Sequence, residues 1–158
     1  MIHHAHAQIK KGRGTYDNDR PPIVGTVGRE TGLVRLEVKH TTRKRDLLAQ
    51  IDAFTKPYTI CYTDEWIGYK GMKRIHCTVC HGKKEYARDD DNDGVREVHT
   101  NTIEGVWTSL RNFLRPFRGV HKKFLYLYVA IFEITYNHKK ISQQVVQATC
   151  FNNRILTT

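Results

Sequence analysis

A carboxylate and a guanidinium lie two helical turns apart in the run 99–111. Glu104 and Arg111 are separated by seven residues, so they fall on the same side of the helix that this run predicts. Two polar residues share that side and three apolar residues flank it: Asn101 and Thr108, and Val106, Leu110 and Phe113. Such a helix can pack its apolar flank on a core while presenting its charged side chains for chemistry.

A second carboxylate closes a predicted strand. Residues 60–63 read Ile-Cys-Tyr-Thr and lead directly to Asp64. An Asp at a strand end, a Glu near a helix start and a basic residue two turns later form a recurring arrangement, which holds two divalent metals for phosphoryl transfer on nucleic acid. Each residue also has a simpler interpretation. Asp64 caps the following helix, Asn101 is an N-cap, and Glu104 occupies a first turn where the helix dipole favours a carboxylate.

Five runs of the sequence resemble the DDE transposase domain of bacterial insertion sequences of the ISXO-like group, whose eukaryotic relatives are the Merlin elements. They span roughly residues 12–140 and are Gly12-Arg-Gly14, Ile23-Val-Gly-Thr-Val-Gly-Arg29, Thr63-Asp-Glu-Trp-Ile-Gly-Tyr69, His99-Thr-Asn-Thr-Ile-Glu-Gly-Val-Trp107 and Tyr136-Asn137-His-Lys. The pairing of Thr-Asp-Glu-Trp with His-Thr-Asn-Thr-Ile-Glu at this distance is the most specific part of the resemblance.

The resemblance implies a DNA transposase that cleaves and joins DNA strands with Mg²⁺, or with Mn²⁺ in its place. It implies that Asp64 and Glu104 are metal ligands, and it leaves open whether Asn101 or Glu104 stands at the third acidic position. It also implies that Arg111 binds a phosphate near the cleaved end, which a guanidinium can grip through two hydrogen bonds. The implied catalytic set is Asp64, Asn101, Glu104 and Arg111.

The first Asp of the family pattern has no counterpart in this sequence. It belongs upstream of the Gly-Arg-Gly run, but residues 1–11 contain no Asp or Glu. Asp17 and Asp19 come after that run, in a turn-like stretch. We therefore expect a transposase domain that lacks its first strand and first metal ligand and is weak or inactive as an enzyme. The alternatives are a non-catalytic DNA-binding or oligomerising remnant and, third, a nuclease of the same fold.

The charge balance favours a polyanionic partner. Lys and Arg number 26 against 16 Asp and Glu, which gives a net charge of +10, although a solvated basic surface without a partner is the alternative. With the resemblance, the expected partner is double-stranded DNA at the terminal inverted repeats of an insertion sequence, bound by a homo-oligomer. The expected phosphate contacts are Lys10, Lys11, Arg13, Arg43, Lys44, Arg45, Arg111, Arg115 and Arg118.

Sequence features predict a cytoplasmic protein without a membrane partner, and the resemblance implies that it is bacterial and associated with the nucleoid. The first residues lack the apolar core of a signal peptide. The longest apolar stretch, 124–134, contains Glu133 and is too short to cross a bilayer. The four cysteines are unevenly spaced and do not form the disulfide framework of a secreted domain.

The predicted elements describe an α/β fold with a ribonuclease-H-like mixed sheet flanked by helices, its first strand missing. The order is hairpin, helix, strand, short helix, strand and two helices, over residues 23–28, 33–39, 43–54, 58–63, 65–72, 74–80, 101–115 and 121–139. The strand beside Asp64 is expected to be central. Residues 1–22 are interpreted as a basic polar arm, 23–140 as the catalytic-type domain and 141–158 as an unplaced tail.

Two other patterns resemble metal sites but are predicted not to bind. The Cys77-x-x-Cys80 run lacks a second cysteine pair, and on a strand its two sulfurs point to opposite faces. The run 89–94 begins like a calcium loop, but Thr100 stands at its twelfth position, where a bidentate Glu is needed.

The final predicted helix carries apolar side chains at helical spacing, which predicts packing in the core rather than stacking on bases. These residues are Phe124, Leu127, Tyr128, Ile131, Phe132 and Ile134. The lysines near its two ends are expected to contact phosphates or only water.

Overall fold

The computed structural model describes residues 15–17, 21–83, 85 and 87–155, with side chains as far as residue 143, His81 excepted. Six strands and three helices follow one another in the order β1 (Ile23–Val27), β2 (Val34–Val38), α1 (Lys44–Phe54), β3 (Ile60–Asp64), β4 (Ile75–Val79), β5 (Ala87–Arg88), β6 (Val98–His99), α2 (Asn101–Leu114) and α3 (Leu125–Ile155). Short 3₁₀ turns lie at Ile67–Tyr69, His81–Lys83 and Arg115–Phe117. The two small strands β5 and β6 lie between residues 80 and 101, where the sequence predicted no helix or strand.

The described strands form three separate pairs and not one mixed sheet. Strands β1 and β2 are antiparallel, β3 and β4 are parallel, and β5 and β6 are antiparallel. Within the described residues β3 therefore pairs on one side only, so the prediction that it is central is wrong for this part of the chain. The exposure of its first residue, Ile60, at 47% agrees with an edge position.

The hairpin of β1 and β2 was predicted correctly. Gly32 has φ +66°, a conformation that residues with a side chain rarely adopt. Its N–H donates to the Gly28 carbonyl, and the Gly28 N–H donates to the Leu33 carbonyl. The sequence signal was reliable because turn geometry depends on a few adjacent residues.

Helix α3 covers the outer edge of β2 with two side chains. The Glu133 carboxylate accepts the Leu36 N–H at 2.7 Å. One turn further along the helix, the Asn137 side chain accepts the Val34 N–H and donates to the Val34 carbonyl. Glu133 and Asn137, four residues apart on the helix, thus bind the backbone of Leu36 and Val34, two residues apart on the strand. Because these backbone groups are occupied, the edge of β2 is protected from pairing with another chain. This explains the Tyr-Asn motif near the end of the family resemblance.

The main core lies between the β1–β2 hairpin, α2 and α3. Its fully buried residues are Ile23, Val34, Leu36, Val106, Leu110, Leu114, Val120, Leu125, Val129 and Phe132. The predicted apolar flank of α2 is confirmed by Val106 and Leu110, which are completely buried. Gly25 on β1 lets α2 approach closely, because a Cβ there would lie 2.6 Å from the Trp107 ring.

Replacing Gly25 with Ala is expected to destabilise the fold by about 1–3 kcal/mol, because the new methyl group would displace the Trp107 ring. Urea unfolding monitored by circular dichroism measures the change. The matched control is Gly105→Ala on α2, where an added Cβ meets nothing within 4 Å. That control should stabilise the helix by about 0.5–1 kcal/mol. Equal effects at the two glycines would contradict the packing argument.

Helix α3 differs from its prediction in both extent and packing. It begins at Leu125 rather than 121 and continues without a break to Ile155. Of the six apolar residues predicted to be core, Phe132 is buried and Tyr128 is half-buried. The prediction was wrong for the remaining four, Phe124, Leu127, Ile131 and Ile134, which are 45–69% exposed. The helix instead buries Leu125 and Val129, which lie on another face.

A bilayer crossing needs a long, continuously apolar helix. None of the helices in the described ranges meets that requirement.

Candidate functional site

Asp64 is the last residue of β3 and its side chain is exposed. Its Oδ1 accepts the Trp66 N–H at 3.2 Å, so the carboxylate closes a local turn before the 3₁₀ segment. The prediction that Asp64 caps the following helix is wrong, because Trp66 holds the N-cap position. The turn uses only one of the carboxylate oxygens that a metal ion would bind.

If Asn101 were the N-cap, helix α2 would begin at residue 102, but the helix begins at Asn101 itself. Thr100 is the N-cap and Asn101 is the first helical residue, with an exposed side chain. The prediction of Asn101 as an N-cap is therefore wrong, because Thr100 holds the non-helical position. Glu104 lies in the first turn as expected, and the Thr100 hydroxyl donates to its carboxylate at 3.1 Å.

The predicted polar face of α2 is confirmed by a chain of hydrogen bonds. The Thr108 hydroxyl donates to the Glu104 carbonyl at 3.1 Å, and the Arg111 guanidinium donates to the Thr108 hydroxyl at 3.0 Å. All three side chains are exposed. The face therefore presents a carboxylate at the beginning of the helix and a guanidinium two turns further on.

Arg29 connects the two elements that carry the candidate carboxylates. Its guanidinium donates to the backbone carbonyls of Glu97 and His99, just before α2. Its Cζ also lies 3.5 Å from the centre of the Tyr62 ring, two residues before Asp64. The sequence identified Arg29 only as part of a motif and assigned it no role. A basic residue after β1 was the available signal, but its partners are more than 30 residues away.

Asp64 and Glu104 suit a magnesium ion only in part. Mg²⁺ is commonly held by one or two carboxylates together with substrate phosphates and water, so two exposed carboxylates are appropriate ligands. Within the described ranges, however, neither residue belongs to a group of three close metal-binding side chains. Asp17 is described and exposed but joins no such group, and Asp19 lies outside the described residues.

Three acidic side chains do converge elsewhere, in the loop before β6. Ligand oxygens of Asp89, Asp91 and Glu97 lie within 4.8 Å of one another. The third carboxylate of this group is Glu97. Thr100, which stands at the twelfth position of the calcium-loop pattern, does not belong to it. Desolvation raises the pKa of Asp89, but hydrogen bonds from the backbone N–H groups of Gly94 and Asn92 outweigh it and lower that pKa. The carboxylates therefore already stabilise the loop's own backbone.

The two cysteines of the Cys77-x-x-Cys80 run lie on β4 and just after it, and both are free thiols. Neither belongs to a group of three close ligands among the described residues.

Three of the predicted DNA contacts lie at the beginning of α1. Arg43 is the N-cap, makes no capping hydrogen bond through its side chain, and is exposed together with Lys44 and Arg45. Cations at a helix N-terminus oppose the helix dipole, so these residues do not serve helix stability. A helix N-terminus with basic side chains instead favours an anion.

An open groove of about 490 Å³ runs from this basic helix end to the segment that follows Asp64. Its lining includes Arg43 and Lys44 on one side and Trp66, Ile67 and Gly68 on the other. The groove therefore places the cationic side chains of Arg43 and Lys44 close to the segment that follows the candidate metal ligand Asp64.

The other predicted DNA contacts divide into two sets. Arg111, Arg115 and Arg118 are exposed along the end of α2 and the turn after it. Lys10, Lys11 and Arg13 lie outside the described residues. Basic residues near a helix C-terminus also favour the helix dipole, so the first set has a structural explanation as well.

Two histidines near the site should make the fold sensitive to acid. Burial lowers the pKa of His76, and burial together with the positive charge of Arg29 lowers the pKa of His99. The unfolded chain therefore binds protons before the folded one does. Stability should be complete above the unfolded pKa of about 6.5 and should fall as the pH drops below it.

Urea unfolding between pH 7.5 and 5 measures this loss. The double variant His76→Gln/His99→Gln should show a flatter pH dependence than the unmodified chain. Replacing the exposed His40 with Gln is the control for the loss of an imidazole elsewhere on the surface. An identical slope in the double variant would show that the two half-buried histidines do not cause the acid sensitivity.

Comparison with known proteins gives a consistent assignment. The ISXO2-like transposase domain matches residues 2–137. An uncharacterized protein in transposable element ISH50 of Halobacterium salinarum is 32% identical over 129 residues, which are 78% of this chain and 41% of that protein. The chain thus spans about two fifths of the length of this relative. No solved structure matches. Because the family match covers most of the sequence, the chain belongs to the ISXO2-like transposase domain family.

Proposed function

We propose that this chain is the catalytic-type domain of a DNA transposase, with Asp64 and Glu104 as its metal ligands. The observation that carries the proposal is the Arg29 bridge. It ties β3, which ends on Asp64, to the residues that lead into α2 and Glu104. This link between β3 and the residues just before α2 supports a shared metal site, which needs carboxylates from both parts of the sequence.

The strand arrangement supports a ribonuclease-H-like fold. Helix α1 connects the antiparallel pair to the parallel pair, and the buried side chain of Gln50 donates to the Val24 carbonyl of β1 at 3.1 Å. One strand inserted between β1 and β3 would join the pairs into a mixed sheet of five strands, in the order β2, β1, inserted strand, β3, β4. In the family pattern that strand carries the first metal-binding Asp.

The proposed cofactor is Mg²⁺, with Mn²⁺ as its substitute, because carboxylate and phosphate oxygens are preferred ligands of both ions. When bound, the ions would activate the attacking oxygen and stabilise the leaving oxygen of the cleaved strand. Glu104 is the better candidate for the third acidic position, since Asn101 contributes no negative charge. Arg111 would orient a DNA phosphate near the reacting strand, two turns from Glu104 on the same helix face.

The proposed partner is double-stranded DNA at the terminal inverted repeats of an insertion sequence, bound by a homo-oligomer in the bacterial cytoplasm. The groove at the beginning of α1 supports this partner, because Arg43 and Lys44 line it and Asp46 in the same turn offsets only part of the local positive charge. The exposed arginines after Glu104 would extend the same contact. Phosphate contacts of this kind bind DNA with little regard to sequence.

Removing the basic residues at the helix end should weaken DNA binding and its salt dependence. In the triple variant Arg43→Ala/Lys44→Ala/Arg45→Ala, the slope of log affinity against log salt should become shallower by about 0.9 for each phosphate that the protein no longer neutralises. Fluorescence anisotropy with labelled duplex at several salt concentrations measures it. The control Lys56→Ala/Lys70→Ala/Lys73→Ala removes the same charge from other exposed positions. Equally weakened binding in both variants would indicate a net-charge effect without a DNA site.

The second candidate is a non-catalytic DNA-binding remnant of a transposase. It is favoured by one observation, namely that neither Asp64 nor Glu104 belongs to a group of three close metal-binding side chains among the described residues. Both candidates predict salt-dependent binding to DNA. They differ in metal binding, because only the catalytic-type domain should lose Mn²⁺ affinity when Asp64 is replaced by Asn.

A further inference from the structure

An exposed apolar stripe runs along α3 on the side that faces away from the core. We define this α3 stripe as Phe124, just before the helix, with Leu127, Ile131, Ile134, His138 and Ile141. Its apolar members are 45–69% exposed. The spacings alternate between three and four residues, which is the heptad pattern of helices that pair with another helix.

The α3 stripe is distinct from the face that holds the helix on the domain. Leu125, Val129 and Phe132 are at most 6% exposed and pack in the core. At 100° per residue, the centres of these two faces lie about 150° apart around the helix. The helix is therefore apolar on two sides, and the fold of one chain covers only one of them.

Along the helix, several residues beside the α3 stripe permit close approach of a second helix. Ala130, Thr135 and Ser142 flank the stripe and are exposed, small and uncharged. Lys139 is exposed but lies outside the flanking positions. The exposed Lys123 lies beside Phe124 at the start of the stripe, before the first helical residue Leu125.

The exposed area of the α3 stripe is sufficient for a stable pair. Five large apolar side chains, each about half exposed, present on the order of 500 Å² per chain, or about 1,000 Å² for two chains. An apolar patch of this size on a monomer is usually an interaction site. About 1,000 Å² is also the lower limit for a specific protein interface.

We propose that the α3 stripe is the interface between two copies of this chain, which pair through their α3 helices without DNA. A heptad stripe is complementary to another stripe of the same spacing, so a second copy fits it by symmetry. In the sequence the same spacing continues through Val145, Ala148, Asn152 and Ile155, and the helix itself reaches Ile155. The pattern thus extends over more than four heptads, as is typical of coiled coils.

Sedimentation equilibrium of the nuclease-treated 158-residue protein tests this interface. The unmodified protein should be a dimer at roughly 10 µM and should remain one in high salt, because the contact is apolar. The double variant Ile131→Lys/Ile134→Lys should be monomeric at the same concentration. Both residues are more than half exposed, so the variant should keep its helical circular dichroism signal.

The control variant Tyr126→Lys/Asn112→Lys adds the same charge at exposed positions outside the stripe and should remain dimeric. A monomeric unmodified protein at roughly 100 µM would overturn the proposal. A double variant that still dimerises would overturn it as well, because the copies would then meet through another surface. If the control also became monomeric, charge rather than the stripe would be responsible, and the proposal would fail.

Discussion

Mn²⁺ titrated into the 158-residue protein is expected to bind weakly, with a Kd on the order of 10⁻³ M, and to support no DNA strand transfer above the metal-free background. Two-metal chemistry depends on carboxylates that position both ions and balance their charge. Asp64 and Glu104 provide two such groups, and neither belongs to a cluster of three close ligands among the described residues. Two carboxylates supply too few oxygens and too little negative charge to hold two ions in register, so the pair should bind them poorly.

The titration must separate this site from the acidic loop before β6. Asp64→Asn and Glu104→Gln should each remove the weak Mn²⁺ binding if the proposed ligands are correct. The control Asp89→Asn/Asp91→Asn removes the loop carboxylates and should leave that binding unchanged. Calorimetry measures the affinity, and strand transfer on terminal-inverted-repeat DNA is assayed in parallel.

Two results would contradict this expectation in different ways. Binding that disappears only in the loop variant would place the ion at Asp89 and Asp91, and the proposed ligands would be wrong. Robust strand transfer that is lost in Asp17→Ala or Asp19→Ala would show that one of these residues supplies the third carboxylate. In that case the chain would be a competent transposase domain.

Replacing Glu133 with Ala is expected to lower the free energy of unfolding by about 2–4 kcal/mol. Its carboxylate accepts the buried Leu36 N–H at 2.7 Å and the guanidinium of Arg35 at 2.7 Å. Without it, the Leu36 N–H would be buried with no acceptor, which is the main cost. The Arg35 contact contributes less, because that side chain is 61% exposed and its charge is screened by water.

Urea unfolding of the variant measures the destabilisation, and Glu37→Ala serves as its control. Glu37 pairs with Lys39 near the surface, so its removal should cost at most about 1 kcal/mol. The conservative change Glu133→Gln retains one acceptor oxygen and should fall between these two results. A Glu133→Ala effect as small as that of the control would show that α3 does not depend on this contact to hold β2.

Local features of this protein could be predicted because they depend on neighbouring residues. Gly32 indicated the hairpin turn, and the spacing of Val106 and Leu110 indicated which side of α2 is buried. The common face of Glu104 and Arg111 followed from helix geometry alone. The pairing of β3 could not be predicted in this way, since it depends on which other strands are present.

Periodicity alone did not show which face of α3 is buried. Ile131 and Phe132 are adjacent and equally apolar in the sequence, yet Ile131 is 54% exposed and Phe132 is 6% exposed. Both faces of the helix satisfy a helical spacing, so the pattern predicted burial for both. Contacts with β2 determine which face is buried, because β2 binds Glu133 and Asn137 and thereby fixes the rotation of the helix about its axis.

The sequence by itself determined the basic charge, the motifs around Asp64 and Glu104, and the resemblance to transposase domains. Only the tertiary structure decided how those motifs are held together. Arg29 meets Tyr62 and the carbonyl of His99, partners separated from it by 33 and 70 residues. The physical reason is that helix and turn formation depends on adjacent residues, whereas such contacts form only after the chain has brought distant elements together.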